Sequence, residues 1–188
     1  EGAQFVCLIV RDNAYLDSLM PNKNWSYHNY RNSDIQNYVL AAEELAERGY
    51  FVIRMGVKVH ASINSDHPKV IDYATNGMRS DFMDVYLGAK CLFCLNSCTG
   101  YEAIPMIFRK PIASVNMVPL GYLSSYLKDS VLINKKYWLA SEQRWLSLKE
   151  VFDECSGDTF LSKVGKIKDF IRYTKHQFFS VDTLSDYV

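Results

Sequence analysis

The sequence predicts an α/β fold: a Rossmann-like open parallel sheet flanked by helices, in a single domain over residues 1–188. Three observations carry this expectation. Four apolar runs, "QFVCLIVR" (4–11), "YFVIRMG" (50–56), "CLFCLN" (91–96) and "KPIASVN" (110–116), lack strict polar alternation and match strands covered on both faces. Segments of helical period lie between them, the first long enough for a right-handed parallel crossover. The 188 residues, 48% hydrophobic and 22% charged, suit one domain with a full core.

The elements follow in order. After the first strand, residues 12–32 are polar and aromatic without a clear period, too long for an ordinary connection and so a functional loop or an insertion. Ser33 reads as a helix N-cap, with Gln36 three residues on completing a capping box. Ile35, Tyr38, Val39, Ala42, Leu45 and Ala46 then form one apolar helical face, and Gly49 closes the helix. Within residues 57–79, "VIDYA" (70–74) is a short strand candidate. Ser80 or Asp81 caps a helix through Leu87 that ends at Gly88. A further helix is expected from Thr99 to Phe108, and "SVLIN" (130–134) as a fifth strand. The tail from Leu146 is amphipathic and helical in two pieces, "LSLKEVFDEC" and "FLSKVGKIKDFIRYT". No internal repeat or low-complexity linker interrupts the alternation of strands and helices.

Composition narrows the function. Basic and acidic residues balance at 21 each, which argues against a nucleic-acid partner. No apolar run is long enough for a transmembrane segment, and no signal peptide is visible. The chain opens "EGAQFVC" and not on Met, so it reads as a piece of a longer protein with an upstream N-terminal domain. Five cysteines, three of them in apolar runs, read as buried thiols of a reducing compartment, hence a cytoplasmic location.

The stretch "CLFCLNSCTGYEA" (91–103) poses the main question, because three cysteines precede a Thr-Gly step and an acid. A zinc knuckle places two thiolates on one tight turn. Cys91 and Cys94, three apart in an expected strand, should point to opposite faces. The histidines at 28, 60, 67 and 176 are scattered, so no metal site is expected. Only Cys98 has the helix-start setting of a redox thiol. The loop "NSCTG" (96–100) instead suggests a phosphate-binding turn between a strand and a helix N-terminus. There Ser97 and Thr99 offer hydroxyl donors, Gly100 permits close backbone approach, and Glu102 is placed to reach ribose hydroxyls. The plain alternative is an ordinary strand-to-helix turn with a Ser or Thr cap.

Arg11 closes the first strand, at the edge where open α/β sheets bind ligands, and its fork suits a diphosphate. The competing role is an ion pair with Asp12 or another local acid. The loop "WSYHNYR" (25–31) carries aromatics suited to stacking on sugars or bases, and His28 is the candidate general acid or base.

The stretch "CLFCLNSCTGYEAIPMIFRKPIASVN" (91–116) resembles the donor-binding region of GT-B glycosyltransferases and their nucleotide-sugar epimerase relatives. The order of "RDNAY", "YHNYRNSDIQNY", "GYFVIRMG", "DFMDVYLGAKCLF" and "IFRKPIASVN" over residues 11–116 is similar to a family of predicted bacterial glycosyltransferases found with surface-polysaccharide genes. The departure is "NSCTG", where many GT-B enzymes have a glycine-richer turn. The resemblance implies one half of a GT-B fold, the C-terminal half that holds a nucleotide-diphosphate sugar as donor substrate. It also implies a metal-independent transfer without a cofactor and a glycan or lipid-linked acceptor. An upstream domain would supply acceptor contacts, and the enzyme would be cytoplasmic or peripheral to the inner membrane. It places Arg54 and Gly56, at the end of the second strand, in the nucleotide site, whereas a charge there could equally be paired internally. Two other expectations stand beside it: a nucleotide-sugar epimerase-like hydrolase, and a non-catalytic nucleotide-binding module.

Overall fold

The structure is a computed structural model that describes residues 2–120, 127, 129–139 and 142–155. Six parallel strands form one sheet. In chain order they are β1 (Phe5–Ile9), β2 (Phe51–Arg54), β3 (Val70–Ile71), β4 (Cys94–Asn96), β5 (Ile112–Met117) and β6 (Val131–Asn134). Their order across the sheet is β3-β2-β1-β4-β5-β6, with all neighbours parallel. The chain builds outward from β1 to one edge, then returns to pair β4 against the other side of β1. That reversal is the topological switch point, where connections leave β1 and β4 in opposite directions and open a crevice at their carboxyl ends. The Rossmann-like expectation is what the molecule shows.

The unbroken apolar run of β1 has its cause in burial on both faces. Val6, Leu8 and Val10 share one core cluster with Tyr38 and Ala42. Cys7 shares a second with Leu87, Cys91 and Cys94 on the opposite face. Strand periodicity of two therefore sends alternate side chains into two cores, and neither face is polar.

Helices α1 (Ala14–Leu19) and α2 (Val39–Glu47) precede β2; α3 (Asp81–Lys90) and α4 (Ala103–Ile107) flank β4; α5 (Leu148–Cys155) follows the sheet. Several boundaries differ from those read in the sequence. Asp34, not Ser33, caps the segment before α2, accepting the Gln36 N–H at 2.9 Å. The first turn there, Ile35–Tyr38, is a 3-10 helix. Ser33 instead donates its backbone N–H to the Arg11 carbonyl at 2.9 Å, a tie across the sheet that only the fold supplies. The loop expected over 12–32 contains α1 and a 3-10 segment, Ser26–Arg31. A small antiparallel pair, β7 (Trp138–Leu139) with β8 (Arg144–Trp145), was not expected. Of the two tail pieces, the first contains α5, and "FLSKVGKIKDFIRYT" lies outside the described residues. Among the described residues no helix is long and apolar enough to cross a membrane.

The α3 boundary has a packing reason. Ser80 caps the helix by accepting the Met83 N–H at 3.2 Å, and the helix runs past Gly88 to Lys90. Gly88 is an interior position where α4 approaches: an added Cβ would meet Ile104 Cγ2 at 2.7 Å and the Tyr101 hydroxyl at 3.0 Å. Gly88→Ala should therefore lower stability by about 1–3 kcal/mol, the usual cost of overpacking, despite alanine's better helix propensity. A urea midpoint unchanged or raised would show that α3 and α4 can part without loss.

Cys91 also differs from its expected place. It ends α3, and β4 begins only at Cys94. The strand-alternation argument that separated the two thiols therefore does not hold; Cys7, Cys91 and Cys94 share one cluster, each without exposure. The contact between Cys7 and Cys91, together with burial, pushes the Cys7 thiol far up. Among the described residues Cys7, Cys91, Cys94 and Cys98 are free thiols, and no group of three His, Cys, Asp or Glu is placed to hold a metal ion.

Candidate ligand site at the switch point

The carboxyl ends of β1 and β4 are held together before any ligand is considered. Cys7, Leu8 and Ile9 pair with Cys94, Leu95 and Asn96. The ladder continues past Asn96, where the Ser97 N–H donates to the Ile9 carbonyl at 3.1 Å. The Arg11 N–H donates to Ser97 Oγ at 2.6 Å. With Ser33 on its carbonyl, the Arg11 backbone is clamped on both sides, which fixes where its guanidinium starts.

Ser97 is therefore not the ligand donor that its sequence context suggests. It is wholly buried, and it belongs to an internal polar cluster. Asn116 Nδ2 donates to the Tyr38 hydroxyl at 2.8 Å and to Ser33 Oγ at 3.4 Å. Burial raises the Tyr38 pKa, against the opposing effect of its hydrogen bonds with Ser33, Asn116 and Ser97. Such a network orders the floor of the crevice, because each member would cost free energy if left unpaired.

Thr99 is likewise turned inward. Asn96 Oδ1 accepts both the Thr99 N–H at 3.1 Å and the Thr99 hydroxyl at 2.9 Å. The Asn96 amide donates on its other side to Glu102 Oε2. One buried asparagine thus folds residues 96–102 into a fixed loop. The Glu102 carboxyl is raised by burial, against the lowering effects of Asn96 and the nearby Arg31 charge. Gly100 stands clear: a Cβ there would find nothing within 4 Å. The helical segment after it is short, a three-residue 3-10 turn (Gly100–Glu102) leading into the five residues of α4. Its dipole is correspondingly small, so charge at this end of the sheet comes chiefly from side-chain cations.

Those cations come from separate parts of the chain. Arg11 follows β1. Arg31 ends the 3-10 segment Ser26–Arg31, and its Nη2 donates to the Cys98 carbonyl at 3.0 Å. Cys98 itself is buried, not exposed as a redox thiol would be, and sits in the left-handed region at φ 58°. Lys135 follows β6 and reaches back to donate to the carbonyls of Tyr30 at 3.1 Å and Asn32 at 2.7 Å, on either side of Arg31. Burial pulls the Lys135 pKa down to about 8, opposed by Cys98.

His28 lies in this group. Its ring stacks on Trp25 at 6.0 Å between centroids and approaches Tyr27 at 4.1 Å. Burial, then the charges of Arg11, Arg31 and Lys23, hold its pKa below the ordinary imidazole value. A neutral ring at pH 7 can accept a proton.

The structure thus brings Arg11, His28, Ser97, Thr99, Gly100 and Glu102 together at the carboxyl ends of β1 and β4, with Ser97 and Thr99 engaged internally. It sets Arg54 and Gly56 apart. Arg54 is 1% exposed, paired with Asp72 at 3.1 Å and bonded to the Ala61 carbonyl at 3.0 Å. A Cβ on Gly56 would meet Val59 Cγ1 at 2.6 Å. Both serve the connection between β2 and β3, whose link to the crevice is the His60 N–H donating to Asp12 Oδ2 at 3.0 Å. The other oxygen of Asp12 accepts the Ala14 N–H at 2.9 Å.

Sequence reading gave Arg31, Lys135, Asn96 and Asn116 no role. For Lys135 a signal existed, since "SVLINKK" places a cation just past a strand, as "CLIVR" does for Arg11. Arg31 and Asn96 lie in the stretches 25–31 and 96–100 singled out above, but nothing local marks their particular bonds, and nothing local marks Asn116. Comparison with protein-family models, with curated proteins and with solved structures gives no match.

Proposed function

We propose that this chain binds a nucleoside diphosphate at the switch point of its sheet, as the donor-binding part of a GT-B-type glycosyltransferase acting on a nucleotide-diphosphate sugar. One observation carries the binding step: Arg11 and Arg31 both bring charge to His28, Arg31 bonds the Cys98 carbonyl in the loop after β4, and Lys135 bonds the carbonyls on either side of Arg31, so three cations from segments far apart in sequence become neighbours. An anion with two adjacent phosphates is the kind of ligand that the forked guanidinium groups of two arginines bind well. The transfer step rests on the ordered resemblance of residues 11–116.

In that role Arg11 and Arg31 hold the diphosphate and offset the charge that develops on it as the glycosidic bond breaks. Trp25 and Tyr27 offer aromatic faces to a base or sugar. Neutral His28 is the proton acceptor nearest the cations, and Glu102 reaches hydroxyls of the ribose. The glycan or lipid-linked acceptor would be held by residues outside this domain.

A titration panel of UDP, GDP, dTDP and their nucleosides tests the reading. A diphosphate should bind at least tenfold more tightly than its nucleoside, about 1.4 kcal/mol or more. Equal affinities would remove the cation cluster from ligand binding. Gly100→Val sharpens the test, since the position has room for a side chain and no left-handed φ. The variant should fold with unchanged stability yet lose about 2–4 kcal/mol of diphosphate affinity, as a branched side chain blocks approach to the loop backbone. Full affinity in the folded variant would take the loop out of the site.

A further inference from the structure

The aromatic and basic segment over residues 25–32 needs an explanation of how it stays in place. It is a 3-10 segment flanked by loops, with no buried residue within Ser26–Arg31. Its ends are closed by turns, the His28 N–H donating to the Trp25 carbonyl at 2.8 Å and the Asn32 N–H to the Asn29 carbonyl at 3.0 Å, and Asn29 Oδ1 accepts from the Asn13 amide. A short segment without a buried residue opens more readily than the core strands. Yet it supplies His28 and Arg31 to the crevice.

We propose that Lys135 is a positioning residue that latches residues 25–32 across the switch point and so sets Arg31 and the aromatic faces for the ligand. This rests on the diphosphate-binding reading, but the latch can be tested without it. Lys135 is itself anchored, because its N–H donates to the Met117 carbonyl at 3.1 Å where β5 ends. From that fixed base its ammonium reaches two carbonyls of the segment, Tyr30 and Asn32, about a hundred residues away in sequence. The contact spans the crevice from the β6 side to the β1 side, so it ties opposite walls together. A second contact comes from Tyr30, whose side chain packs on the cluster of Val118, Leu120, Tyr137 and Val151. On the far side Arg31 bonds the Cys98 carbonyl. The segment is thus pinned at its exit by one cation from β6 and joined to the β4 loop by its own.

Lysine suits this work. Its ammonium has three donors on one nitrogen, so two carbonyls that flank Arg31 can be bonded at once. A ligand diphosphate then meets an Arg31 whose backbone is already placed, which lowers the ordering cost of binding.

The test compares the 188-residue chain with Lys135→Met and Lys135→Arg by hydrogen exchange and by titration with the tightest of UDP, GDP and dTDP. Without ligand, Lys135→Met should raise exchange over residues 25–32 by about 10-fold, leaving β1, α2 and β4 unchanged. Lys135→Arg keeps donors for both carbonyls and should restore protection to within about 3-fold. Diphosphate affinity should fall by about 10-fold in the Met variant and recover with Arg. Unchanged exchange in Lys135→Met, or exchange raised throughout the chain, would overturn the latch. Equal loss of protection with Met and Arg would also overturn it. Exchange raised locally while affinity holds would remove the positioning role. If no diphosphate binds even the parent chain, the ligand reading falls, and the local exchange result still decides the latch.

Discussion

Asp72→Ala is expected to destabilise the domain by about 3–5 kcal/mol, the cost of stranding one partner of a buried ion pair. The Arg54 side chain is 1% exposed, and its guanidinium bonds Asp72 Oδ1 at 3.1 Å. Without the carboxylate a buried positive charge keeps only the Ala61 carbonyl of these two partners. The Ile63 N–H, which donates to Asp72 Oδ2 at 3.0 Å, loses its acceptor too. Since a domain of this size has about 5–15 kcal/mol of stability, the variant should approach the limit of folding. Urea unfolding with an unchanged slope and a midpoint lowered to match would bear this out. Replacing both partners by apolar residues of similar volume should recover much of the loss. A single-variant loss below about 1 kcal/mol would mean that Arg54 reaches water or another acid, and its exclusion from the ligand site would need revision.

Arg11→Ala should act chiefly on the ligand, removing about 2–3 kcal/mol of diphosphate affinity. That is the range for hydrogen bonds to a charged group. The position is held through its backbone, by Ser97 and Ser33, so the truncated residue keeps its place. Nucleoside affinity should stay within a few-fold, because only the phosphates meet the guanidinium. Equal losses for nucleoside and diphosphate would make Arg11 a packing residue. With both results the two arginines would separate: each ends or follows a neighbouring strand, one required by the fold and the other by the ligand.

That difference was not legible in the sequence. "CLIVR" and "FVIR" present the same signal, a cation at the end of an apolar run. What distinguishes them is Asp72, eighteen residues past Arg54, brought beside it by the pairing of β3 on β2. Ser97 and Thr99 show the same limit. Their residue types suit a phosphate loop, but Asn96 and the Arg11 N–H had already engaged them. Hydroxyls satisfy whichever partner the fold places nearest, and local sequence does not reveal which one that is.

The sequence by itself determined the parallel sheet, because strands buried on both faces must be apolar throughout, and "VCLIV" in β1 leaves no polar face. It determined α2, whose apolar positions recur at helical spacing, and α3 through the Ser80 cap. It also placed a loop of small residues after β4. The tertiary structure alone decided strand order, and with it the switch point, since pairing depends on contacts between residues far apart in the chain. It decided that Cys91 lies beside Cys7, through the helical residues past Gly88 that carry α3 to Lys90. It decided that Lys135 meets residues 30 and 32, through the position of β6 two strands from β4. Period and propensity act over a few residues, whereas a site is built by side chains that only the assembled sheet brings within hydrogen-bonding distance.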